Sequence, residues 1–116
     1  MQLNNQVTLI GRLGADPVYV TTQNGADLTR FNLATSSYRK GKDSKSISST
    51  QWHKCVAWGP LAIQLHKFLE KGRKIAVHGQ LRYSQYTDKE GVKRNSTDIV
   101  LSDFSFVDNK PAAEAA

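Results

Sequence analysis

Apolar positions along this chain recur at a spacing of two through most of its length and at helical spacing once. From Gln6 to Gly14, the residues Val7, Leu9 and Leu13 fall on one side of an extended segment, and Gly11 sits where such a strand can bend sharply. Asp16-Pro17 and Gln23-Asn24-Gly25 are breakers, after which Leu28 to Thr35 returns to a strand pattern. Tyr38 to Ser49 is polar and rich in serine, which predicts a flexible hairpin loop. A third strand covers Ser49 to Gly59. The period then changes: Leu61, Leu65, Phe68 and Leu69 recur at helical spacing between Pro60, suited to a first turn, and Lys71-Gly72, suited to an end. A fourth strand runs from Lys74 to Tyr86 with Ile75, Val77 and Leu81 inward. Asp88-Lys89-Glu90-Gly91 makes a turn, and a fifth strand follows through Ile99 and Leu101 toward Phe104 and Phe106.

Three strands, one helix and two strands is the element order of an all-β, five-stranded Greek-key OB-fold barrel with one short helix between strands 3 and 4. The length of 116 residues suits one domain, spanning 1–107, followed by a short, low-complexity and disordered end at 108–116. No stretch reaches the length of apolar sequence that a membrane span needs, and the N-terminus lacks the pattern of a secretory signal. Cys55 is the only cysteine, so no internal disulfide forms. The expected setting is soluble and cytoplasmic, in association with the nucleoid.

Charge changes the picture of the third strand. The formal net charge is +6, and residues 49–86 carry six basic side chains against one acidic. That segment also holds both tryptophans. Alternation puts Trp52, Lys54, Val56 and Trp58 on one face and His53, Cys55 and Ala57 on the other. Flat rings interleaved with positive charge suit an unpaired nucleic acid strand, because bases offer π-faces and phosphates attract cations. Tyr38 opens the basic loop, and Tyr86 ends the fourth strand on the parity of Arg82 and Ser84. Tyr38, Trp52, Trp58 and Tyr86 are therefore the candidate stacking set. The candidate phosphate set is Arg12, Arg39, Lys40, Lys42, Lys54, Lys71, Arg73 and Arg82. Tyr83, on the inward parity, predicts packing, and Lys67 on the helix reads as ordinary solvated charge.

The strings VTLIGRLGADP (Val7 to Pro17), FNLATS (Phe31 to Ser36), QWHK (Gln51 to Lys54) and GQLR (Gly79 to Arg82), with Tyr86-Thr87-Asp88 beyond, resemble the bacterial single-stranded DNA-binding protein family. The similarity covers roughly residues 3–107. It implies single-stranded DNA as partner, assembly as a homotetramer around which the strand wraps, and His53 at a subunit contact. Its stacking positions fall on Tyr38, Trp52, Trp58 and Tyr86. Three of these differ in residue type from the best-known members, although each keeps a ring. Members of that family usually end in an acidic tip that captures partner enzymes. This chain ends in Pro111-Ala-Ala-Glu-Ala-Ala, so the expectation is that it fails to recruit tail-reading partners, as a short paralogue or a truncated core.

Other chemistry finds little support. His53, Cys55, His66 and His78 have no paired metal-ligand spacing, so no metal and no cofactor is expected. There is no nucleophile elbow, and the acids sit mostly in turns and at chain ends, which argues against an enzyme. Two readings remain: a sequence-tolerant single-stranded DNA binder acting in replication, recombination and repair, or an OB-fold interaction module of a replication-restart complex.

Overall fold

A computed structural model describes residues 4–42 and 46–108. The elements are β1 (Val7–Leu13), β2 (Val18–Thr21), β3 (Asp27–Lys40), β4 (Ser46–Trp58), α1 (Pro60–Phe68), β5 (Lys74–Thr87) and β6 (Lys93–Phe106). The hydrogen-bonded order β1-β5-β6-β4-β3 closes back on β1, where Arg12 faces Ala34 and Leu13 faces Leu33. This is the predicted five-stranded OB-fold barrel with its helix between the third and fourth barrel strands.

Closure needs one strand to serve two neighbours. β1 pairs with β5 from Val7 to Arg12 and with β3 at its end. Gly11 sits where this happens, and a Cβ there would collide with the backbone carbonyl of Ala34. Gly79 plays the matching part at the register shift in β5, pressed against the backbone of Val100. Bends of this kind are where a barrel strand tolerates only glycine.

The inward positions fill the barrel with Leu13, Phe31, Leu33, Cys55, Ala57, Ile75, Val77, Ile99 and Leu101, all buried. α1 caps one end with Ala62 and Leu65, and Leu69 follows them in. The buried Thr29 hydroxyl donates to the Ala62 carbonyl at 2.7 Å, tying the helix to β3. The predicted helical stripe is partly wrong. The helix stops at Phe68, because Leu69 turns to extended backbone (ψ 149°), and that turn sends Leu69 inward and leaves Phe68 on the surface.

Two further expectations change. The segment from Tyr38 to Ser49 is largely not a loop: β3 and β4 stay in register out to Lys40 opposite Ser46. A two-stranded ribbon projecting from the barrel needs no apolar face, since its backbone groups satisfy each other, and so its sequence is polar. The breaker region also hides β2, an added edge strand that pairs with β3 from Val18–Arg30 to Thr21–Asp27. At the C-terminus, Asp108 is held: its carboxylate accepts from Arg73 Nε and from the Lys74 amide, each at 3.1 Å. The rest of the predicted disordered end, 109–116, lies outside the described residues, as do Asp43 and Lys45 of the hairpin tip.

Candidate nucleic-acid interface

The β3–β4 register turns the tryptophan pattern into a surface. Directly opposed residues of an antiparallel pair share a face. Leu28 faces Trp58, Arg30 faces Val56, Asn32 faces Lys54, Ala34 faces Trp52, Tyr38 faces Ser48 and Lys40 faces Ser46. Phe31 and Leu33 point the other way into the core, so this whole row looks outward. Trp52 is 60% exposed, Trp58 43% and Tyr38 75%, values far from those of core aromatics. Three of the four candidate rings therefore lie on one continuous face.

The fourth ring joins from the other ribbon. β5 and β6 pair from Ile75–Phe106 out to Thr87–Lys93, with Arg82 opposite Asp98 and Tyr86 opposite Arg94. β4 and β6 run parallel through Cys55–Ile99 and Val56–Val100 alone. This brief contact makes the outer faces of the two ribbons continuous before they diverge. In the angle between them opens a cleft of about 570 Å³, lined by Arg30, Lys54, Val56, Trp58, Arg82 and Asp98 among others. Three cations converge there from three different strands.

Local chemistry fixes the ribbon tip that carries Tyr86. Asp88 Oδ1 accepts from the amides of Glu90 and Val92, both at 2.9 Å, and Oδ2 meets Arg94 Nε at 3.0 Å. The Val92 amide and then the Arg94 guanidinium hold this carboxyl below its usual range. Gly91, at φ 81°, supplies the left-handed residue that closes the turn.

The basic candidates separate by position. Lys54 and Arg82 line the cleft; Lys40 shares the outer face with Tyr38, and Lys42 follows in the exposed turn. Arg39 pairs with Ile47 on the opposite face of the ribbon. Arg12 is outward on β1 beside Ala34, with Nη1 donating to the Gly72 carbonyl at 3.0 Å. Lys71 is exposed, and its amide is held by Asp16 at the cleft edge. Arg73 has a different occupation: it is 8% exposed, paired with Asp108 at 3.0 Å, and stacked over the Phe106 ring at 4.0 Å from its centroid. Its charge is used inside the fold.

Tyr83 corrects in the other direction. It is 74% exposed and packs in no core, because β5 has left the barrel by that point and the inward parity faces nothing. Arg30 is the cleft residue that sequence reasoning passed over. Its signal was present, since alternation with Phe31 and Leu33 puts Arg30 outward. His53 is half-buried at the root of the β3–β4 ribbon, its Nε2 hydrogen-bonded to Thr35 Oγ1 at 2.8 Å.

An OB-fold barrel bearing a row of exposed rings and cations defines a class of nucleic-acid-binding architecture. Comparison with known proteins narrows it. Residues 4–107 match the sequence model of the single-strand binding protein family, and the chain belongs to that family. The single-stranded DNA-binding protein of Xanthomonas axonopodis pv. citri is 42% identical over 103 residues, covering 89% of this chain and 57% of that protein. Single-stranded DNA-binding protein 1 of Chlorobaculum tepidum is 38% identical over 107 residues, covering 91% of this chain and 66% of that one. The chain thus spans about three fifths of the length of several curated relatives it matches. Among solved structures, the Plasmodium falciparum SSB complex with ssDNA superposes with a TM-score of 0.82 at 28% identity, covering 93% of this chain and 98% of that one. These matches do not favour the replication-restart module.

Proposed function

We propose that this chain binds single-stranded DNA in a sequence-tolerant way, stacking bases on Tyr38, Trp52, Trp58 and Tyr86 and neutralising phosphates with Lys40, Lys42 and Lys54, with Arg30 added to that set and Arg82 contacting the strand inside the cleft. The observation that carries the reading is the outer face of β4, where two exposed indoles flank one lysine on a single strand. Each ring accepts any base, and a duplex keeps its base faces stacked on each other, so the arrangement selects single strands. Arg12, Arg39 and Lys71 extend the positive field around this face. Arg73 is left out of the set because its partner is Asp108.

The family relationship supports a role in protecting and organising single strands during replication, recombination and repair, in the cytoplasm at the nucleoid. It also supports assembly as a homotetramer, with His53 at a subunit contact, so that one strand wraps across several barrels. No enzymatic activity is assigned. Titration with oligo-dT against a duplex of equal length is the test. Tight, salt-sensitive binding of oligo-dT with quenched tryptophan fluorescence is expected, and sedimentation should give about four times the 12.9 kDa chain mass. Equal affinity for duplex would overturn the reading.

A further inference from the structure

The cleft holds two charges of the wrong sign for a phosphate site: Asp16, at its edge and tied to the Lys71 amide, and Asp98. Asp98 projects from the outer face of β6 directly opposite Arg82, and both line the cleft together with Lys54. Its Oδ1 accepts from Ser96 Oγ at 3.3 Å, and neither the Arg73–Asp108 nor the Arg94–Asp88 ion pair involves it. A carboxylate in this place repels phosphate oxygens. A base edge, which offers donors as well as acceptors, is the part of a bound strand that suits it.

We propose that Asp98 and Arg82 form a base-reading subsite in the cleft, favouring a base with an exocyclic amino group over thymine. The proposal rests on the single-stranded DNA reading above. Val56, paired with Val100, gives the cleft an apolar floor, and Asp98 lies two residues, about 7 Å, along β6 from that pair. A base lying on Val56 thus has its edge within reach of both side chains. Cytosine offers the N4 amino group as a donor to the carboxylate, beside N3 and O2 as acceptors for the guanidinium. Thymine offers O4 at the same corner, and its one donor, N3–H, is recessed between two carbonyl oxygens that repel a carboxylate. Most of the interface remains indifferent to sequence, because the four rings stack on any base. The preference is confined to the nucleotide in the cleft.

The test compares affinities for oligo-dC and oligo-dT of equal length, at neutral pH and fixed salt, for the unaltered chain and Asp98→Asn. The dC/dT affinity ratio should fall about tenfold in the variant, as expected when a charged acceptor is exchanged for a neutral amide whose NH2 can meet thymine O4, while oligo-dT binding persists. An unchanged ratio with oligo-dT binding intact would overturn the subsite alone. Equal strengthening toward both oligomers would reduce Asp98 to a repelling charge, and equal weakening would reduce it to a support for Arg82; either result overturns base reading. An unaltered chain that binds neither oligomer would instead remove the proposed function on which the subsite stands.

Discussion

The Trp52 indole lies against the backbone of Gly14, so closely that a Cβ at position 14 would fall 2.7 Å from Cη2. Thirty-eight positions separate the two residues in the chain. β1 ends beside β3, β3 pairs Ala34 with Trp52, and the ring folds back over the glycine that follows β1. One face of an exposed ring is thereby supported, and the other stays open.

Gly14→Ala should push the ring off this seat. Affinity for oligo-dT is expected to fall by up to the value of one stacked base, about 1–3 kcal/mol for single-strand binders as a class, this family among them. Trp52→Ala should weaken binding by the same amount, and the two effects should not add, because both remove one platform. A binding titration on the two single variants and the double variant checks this.

Charge removal separates the two uses of arginine. Taking away one cation that neutralises a phosphate should reduce the slope of log affinity against log salt by about 0.7 on a single strand. Lys54→Met and Arg30→Met should each flatten that slope. Arg73→Met should leave it unchanged and instead lower Tm, because it breaks the pair with Asp108 and the stacking on Phe106. Salt-dependent titration beside thermal melting distinguishes the outcomes.

Tyr83→Ala should leave stability within about 0.5 kcal/mol of the unaltered chain, as expected for an exposed side chain that packs in no core. Leu65→Ala, by contrast, deletes a fully buried helix anchor and should cost about 2–5 kcal/mol. Chemical denaturation of both variants measures the difference.

Acid should act through two carboxyls. The Lys74 amide first, and then Arg73, hold Asp108 below the ordinary 3.8, and Asp88 is lowered at the β5–β6 turn. A carboxyl with a depressed folded pKa stabilises the fold above its unfolded value and loses that contribution as pH falls through the folded one. Stability should therefore be insensitive to these groups from neutral pH down to about 4 and decline below. Carboxyl titration by NMR should find both midpoints under 3.8.

Alkali should act through Cys55. Burial pushes its thiol from 9.0 up to about 12, so the folded chain keeps a proton that the unfolded chain releases. Stability should fall as pH rises above about 9. At neutral pH a thiol reagent should modify Cys55 only at the rate of unfolding, which labelling with and without denaturant would measure.

Much of this was legible in the chain. Local alternation placed Trp52, Lys54 and Trp58 outward and Cys55 and Ala57 inward, because strand parity is a property of neighbouring residues and survives in any fold that keeps the strand. The glycine at position 11, the single helical period and the Asp88 turn were legible for the same reason. What alternation could not supply was where a strand leaves the barrel. Tyr83 obeys the inward parity of Leu81 yet is exposed, since parity says which way a side chain points and only the barrel wall decides whether anything is there. The serine-rich ribbon read as a loop because two strands that satisfy each other's backbone groups need no apolar signature.

By itself the sequence determined the order of the five barrel strands and the helix, the parity of the β4 face and the family, all of which rest on residues close together in the chain. Tertiary structure alone decided that Arg73 is spent on Asp108 and Phe106, that Arg30, Lys54 and Arg82 converge from three strands, and that Gly14 supports Trp52. Each of these pairs residues far apart in sequence, and barrel closure is the physical event that brings them together.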